Sequence, residues 1–172
     1  MKLYKLNGDL IGEGSSIREI AENNKYNLFN ADLSYADLSY AKLSHANLSY
    51  AKLSHTNLSH AILPHFQICP EKGQFIAFKK GRNDEIIELL IPKDAKRNSC
   101  LMSRKCRSSK AIVISITKDG KKLDSCECWN TKYDFIYKVG ETVYPDSYDP
   151  DIRTNCSHGI HFFITRKEAE RW

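Results

Sequence analysis

No apolar run in this 172-residue chain approaches the ~20 residues a bilayer-spanning helix needs. A membrane protein built on such helices is therefore excluded. The first residues, MKLYKLNGDLIGEG, lack the apolar core of a secretory signal, so a cytoplasmic location is expected. The six cysteines show no C-x2-C pair, the usual spacing of a structural zinc site. In a reducing compartment they are expected to be free thiols, with neither a disulfide framework nor a metal. Cys156, His158 and His161 come nearest to a metal-ligating set, and Cys126 and Cys128 sit in i, i+2 register on one strand. Charge of one sign is also scarce. The net charge is +5 with 27% charged and 41% hydrophobic residues, a globular balance in which the placement of charge matters more than its total.

What the chain does have is a leucine at every fifth position: Leu28, Leu33, Leu38, Leu43, Leu48, Leu53, Leu58 and Leu63. Alanine stands two residues before six of the eight, with Thr56 in that place before Leu58 and Tyr26 before Leu28. A helix would scatter these leucines, because five residues overshoot a full turn by about 140°. A flat strand fails because five is odd and successive leucines would alternate faces. The spacing predicts a coil with flat sides that changes direction once per five residues. Positions twenty apart then stack: Asp32 over Lys52, Asp37 over Asn57, Tyr35 over His55 and Tyr40 over His60.

These eight units resemble the pentapeptide-repeat family, whose motif is a small residue, a polar residue, Leu or Phe, then two mostly polar residues. The resemblance implies a right-handed quadrilateral β-helix of about two coils, roughly 10 Å tall, over residues 26–65. Residues 1–25 are expected to cap it, with a hairpin at Asn7-Gly8 and a short helix opened by Ser16-Ile-Arg-Glu19.

Residues 66–172 change character. QFIAFKK, EIIELLI, AIVISIT, LDSCEC, DFIYKVG (134–140) and IHFFI read as strands, and Thr165-Arg-Lys-Glu168 as a capping box. A small, mainly β (α+β) carboxyl-terminal domain is expected. Between two of its strands, PKDAKRNSCLMSRKCRSSK carries Lys93, Lys96, Arg97, Arg104, Lys105, Arg107 and Lys110 against Asp94 alone. Such a basic loop suits an acidic partner surface, phosphates or RNA. A plain solvated loop is the alternative. With no aromatic residue among the cations, it does not form a single-strand stacking platform.

RKCRSSKAIVISI, YKVGETVYPDSYDPD and CSHGIHFFITRKEAERW together resemble an uncharacterised domain that follows pentapeptide repeats in phage, prophage and some bacterial proteins. Within it, Gly159-Ile-His161-Phe162, with Ala169 and Trp172 downstream, is faintly similar to a segment of ADP-ribosyltransferases. That similarity implies a nicotinamide pocket near Gly159, His161 and Trp172. Ala169 replaces the family's small hydroxyl residue, and no later strand supplies a catalytic glutamate, so a degenerate or permuted enzyme is one alternative. Direct RNA or DNA binding is another. The leading expectation is a non-catalytic, cofactor-free protein-binding module of a phage or mobile element. Through the basic loop it would inhibit a host protein that handles nucleic acid or serves in defence, such as a CRISPR effector. Gyrase binding by duplex mimicry, found among pentapeptide-repeat relatives, needs a longer and more acidic rod than two mixed-charge coils.

Overall fold

A backbone that turns every five residues governs the amino-terminal part of the protein. The computed structural model describes residues 1–128 and 135–172, and the chain divides into two compact units. The first unit holds residues 1–67 together with Cys100–Ser103 and Asp151–Asn155. In the first seven repeats, the residue two after the leucine takes a left-handed conformation: Asn30, Tyr35, Tyr40, His45, Tyr50, His55 and His60 all have φ between 57° and 63°. The following alanine N–H donates back to the leucine carbonyl, as from Ala36 to Leu33 at 3.1 Å and from Ala46 to Leu43 at 2.9 Å. Left-handed backbone costs a non-glycine residue on the order of 1 kcal/mol or more. Burial of the leucines beside each turn offsets that cost.

The turns stack with a twenty-residue period. Asp32 pairs with Lys52, Asp37 with Asn57 and Lys42 with Ile62, all parallel. Leu33 N donates to Lys52 O, and Lys52 N to Ala31 O, at 3.0 and 2.9 Å. Tyr35 lies on His55 with ring centroids 4.8 Å apart, and Tyr40 on His60 at 4.9 Å. Leu28, Leu33, Leu38, Leu43, Leu48 and Leu53 are buried within the stack, while Leu58 and Leu63 are partly covered. Thr56 is buried where alanine stands elsewhere, and its hydroxyl donates to Leu33 O at 2.8 Å. That bond removes the penalty of an unsatisfied buried hydroxyl.

Strands β1 (Lys2–Tyr4) and β2 (Leu10–Glu13) form the hairpin around Asn7-Gly8. It edges the first turn of the stack, Asp32 N donating to Tyr4 O and Leu6 N to Asn30 O. Helix α1 (Ile17–Asn23) buries Ile20 and Ala21, with Ser16 accepting from Glu19 N. On the second turn, Tyr50 N donates to Met102 O, and the Arg153 guanidinium donates to Thr56 O. Leu101 and Met102 join the same apolar core. Two segments from beyond residue 66 thus fold with the repeats.

The second unit is mainly β. β3 (Phe75–Lys80), β4 (Ile86–Ile91) and β7 (Ala111–Lys118) make an antiparallel meander. Ile87, Leu89 and Ile91 point to one buried face at the period of a strand. β5 (Arg97–Ser99) and β6 (Cys106–Ser108) lie between β4 and β7 in the chain. β8 (Lys121–Leu123) and β11 (Thr142–Val143) share the far edge of β7. β9 (Ser125–Cys128) pairs with β10 (Phe135–Lys138). β12 (Ile160–Phe162) pairs with β6, which pairs in turn with β5. Helix α2 (Arg166–Arg171) starts at a complete capping box between Thr165 and Glu168. The strand expected over 134–140 begins at Asp134, outside the described residues.

Candidate functional site

The segment expected to be one basic loop is a correction. Residues 97–99 and 106–108 are strands, and their cations are largely committed. Arg97 donates to the carbonyls of Gly73, Pro92, Lys93 and Ala95, stapling the turn before β5. Lys110 pairs with Asp94 at 2.7 Å, and Arg104 pairs with Glu168 on α2. Arg107 is 2% exposed and faces Asp149 at 3.5 Å. Lys93 and Lys96 are exposed; Lys105 is 6% exposed and turned inward.

Lys105 leads to the cleft of the second unit. Its volume is about 450 Å³, and it gathers Lys79 from β3, Cys128 from β9, Phe135 and Tyr137 from β10, Asp146, and residues 156–161. A neighbouring recess shares Lys79, Lys105 and His161 and adds Arg82, Phe163 and Trp172. The two meet at a waist of two lysines and a histidine. Lys105 Nζ donates to Cys156 Sγ at 3.1 Å and lies 4.5 Å from the Trp172 ring centroid. Lys79 Nζ lies 5.9 Å from the Tyr137 ring centroid. Among the described residues, no carboxylate forms an ion pair with Lys79.

The electrostatics follow from that crowding. Burial pulls the Lys79 ammonium below its ordinary pKa; nearby Cys128 acts against that and Lys105 adds to it. His161 is lowered to about 3, by burial first and then by Lys105, Lys79 and Arg107. Its ring is therefore neutral near pH 7. Its Nε2 is buried and has no hydrogen-bond partner among the described residues. Burial raises the Tyr137 hydroxyl well above the usual range, so it stays a neutral donor. Positive charge thus converges on a partly desolvated waist.

The other residues singled out in the sequence lie at or near this cleft. His158 Nδ1 is 2.8 Å from Asp146 Oδ2, and both are half exposed or more. Cys156 is the exposed cysteine, whereas Cys69, Cys100, Cys106, Cys126 and Cys128 are buried and free. Among the described residues, no three His, Cys, Asp or Glu side chains gather so as to hold a metal ion. Cys156, His158 and His161 instead meet Lys105, Asp146 and the Ser157 backbone, respectively. Gly159 has φ +140°, and a Cβ there would stand 3.3 Å from Arg107 Cβ. Its role is close backbone packing against a buried arginine. Sequence reasoning missed Lys79, Tyr137 and Asp146. Lys79 had a signal: it lies two residues after buried Ala77, on the face of β3 that turns inward.

Residues 65–169 match a model described as "Family of unknown function (DUF5758)". The chain belongs to the DUF5758 family. Residues 27–63 match pentapeptide repeats, in eight copies. A relative of this DUF5758 chain is "Uncharacterized protein L223" of Acanthamoeba polyphaga mimivirus, 40% identical over 99 residues. The match covers 52% of this chain and 62% of the relative, so the chain spans less than two thirds of that protein's length. No solved structure matches. Every residue named at the waist of the cleft falls within the DUF5758 match. No helix among the described residues is long and apolar enough to cross a membrane.

Proposed function

We propose that this DUF5758 protein is a non-catalytic binding protein whose working site is the cationic cleft of the second unit, and whose ligand is an anion. One observation carries this reading: Lys79, Lys105 and His161 share a partly desolvated waist, where burial and then neighbouring positive charge disfavour the protonated forms of Lys79 and His161. An anion placed there offsets that positive charge. The repeat serves as a rigid scaffold, read as a right-handed quadrilateral β-helix of two coils. The twenty-residue register and the left-handed corner in each repeat support that geometry. The positive charge legible in residues 93–110 contributes through Lys105 and, behind it, Arg107. Inhibition of a host protein that handles nucleic acid is the partner-level form of this proposal, and the viral relative accords with it.

The test is fluorescence anisotropy with a labelled oligoribonucleotide carrying a 5′-hydroxyl, at low and at physiological salt. Binding should weaken as salt rises and should be lost in Lys79→Met combined with Lys105→Met. Salt-independent binding that survives both substitutions would remove the cleft from consideration. An enzyme reading draws on a narrower observation, that His161 and Trp172 line the same recess around Lys105. Release of nicotinamide from a nicotinamide dinucleotide, abolished by Trp172→Ala, would favour it over the binding role.

A further inference from the structure

We infer that the cleft is a nucleoside monophosphate site, with the phosphate held at the Lys79–Lys105 waist and the base against the Phe135–Tyr137 wall. The inference rests on the anionic-ligand reading above and narrows it to one chemical class. Three features carry it. The first is charge matching. A phosphate monoester near pH 7 carries close to two negative charges, as on a phosphorylated side chain. Two ammonium groups, with neutral His161 between the two recesses, balance that charge more closely than they would a carboxylate or a phosphodiester.

The second feature is the composition of the larger recess. Beside the lysines it presents Phe135, Tyr137, Pro145 and Ile160. The Phe135 and Tyr137 rings meet edge to face, with centroids 5.1 Å apart. A flat, mostly apolar group against such a wall is stabilised by burial and ring contact. A volume of about 450 Å³ lies inside the range of roughly 300–1,000 Å³ for pockets that enclose small molecules. The third is donor chemistry. An ammonium carries three N–H donors, and the Tyr137 hydroxyl, kept neutral by burial, adds another. The buried Nε2 of His161 is an acceptor without a partner among the described residues. It would take a hydrogen bond from a ribose hydroxyl or from a singly protonated phosphate.

The same chemistry reaches the cleft from two sources, a free nucleotide or the 5′-phosphorylated end of a nucleic acid. Calorimetric titration of the full chain should use AMP, adenosine, inorganic phosphate, and one oligoribonucleotide with either a 5′-phosphate or a 5′-hydroxyl. AMP should bind at one site, with adenosine and phosphate each at least about tenfold weaker. Lys79→Met should weaken AMP about tenfold or more, while Lys79→Arg, with its charge retained, should stay within about threefold. Preference for the 5′-phosphorylated oligonucleotide, with AMP competing, assigns the chain end as source. AMP binding without that preference assigns the free nucleotide. If the 5′-hydroxyl oligonucleotide binds in a Lys79-dependent way and AMP does not, the nucleotide inference falls and the anionic cleft stands. If neither binds, both fall.

Discussion

The Lys105 ammonium stands 3.1 Å from the sulfur of Cys156, the one exposed cysteine of the chain. A thiol at the edge of a ligand cleft reports on its occupancy. Iodoacetamide should modify Cys156 before the five buried cysteines, and a bound anion should slow that reaction. Mass spectrometry of partially alkylated protein, with and without AMP, checks both expectations. Equal labelling of Cys106, which is fully buried, would contradict the packing described.

In the repeat, Leu48 is 2% exposed and surrounded by the apolar stack. Leu48→Asp places an unpaired carboxylate there and should abolish cooperative unfolding of the first unit, a loss of several kcal/mol or more on the order expected for a buried charge. Thr56→Ala should cost only about 1 kcal/mol, because Leu33 O still accepts from Ala36 N. Thermal melts followed by circular dichroism distinguish the two.

His161 makes stability depend on pH. Its folded pKa, about 3, lies below the unfolded value near 6.5, so the unfolded chain binds more protons between the two. The contribution of this residue is fully present above pH 6.5 and is lost as pH falls towards 3. Between pH 6.5 and 5, above the range where ordinary carboxylates titrate, stability should fall by about 1–2 kcal/mol. His161→Gln should flatten that slope. Urea unfolding at four pH values across this window gives the comparison, and an unchanged slope in the variant would show that His161 is solvated.

Gly159→Ala should destabilise the second unit by more than about 1 kcal/mol, since alanine tolerates neither φ +140° nor the 3.3 Å approach to Arg107. Gly159 also lines the cleft, so a change in ligand affinity per folded molecule is expected as a second, separate effect. Melting temperature and calorimetric stoichiometry measured on the same sample separate the two effects.

The repeat was legible because its leucines obey one spacing that neither helix nor strand can use, which leaves a turn every five residues. The residue that makes each turn was not legible, since tyrosine carries no preference for left-handed backbone and alternates there with histidine, which does adopt it more readily. Longer strands such as β4 and β7 announced themselves by length and β-branched content. β5 and β6 did not: Arg-Asn-Ser and Cys-Arg-Ser are short and polar, and tertiary pairing alone makes them strands. For the same reason the basic segment looked like a loop. Its charge was visible in the sequence, but the inward turn of Lys105 and Arg107 was not. The cleft itself depends on Lys79 meeting Lys105 across 25 intervening positions of sequence, a juxtaposition that only the folded sheets create.

The proposed working site is the Lys79–Lys105 waist, not the exposed cations or the repeat faces. Chemical-shift mapping of ¹⁵N-labelled protein during titration with AMP tests it most directly. Concentration-dependent shifts should be confined to the backbone amides of Lys79, Lys105, Tyr137 and residues 157–161. Shifts centred instead on Lys93 and Lys96, or on the Tyr35–His55 and Tyr40–His60 stacks, would contradict it.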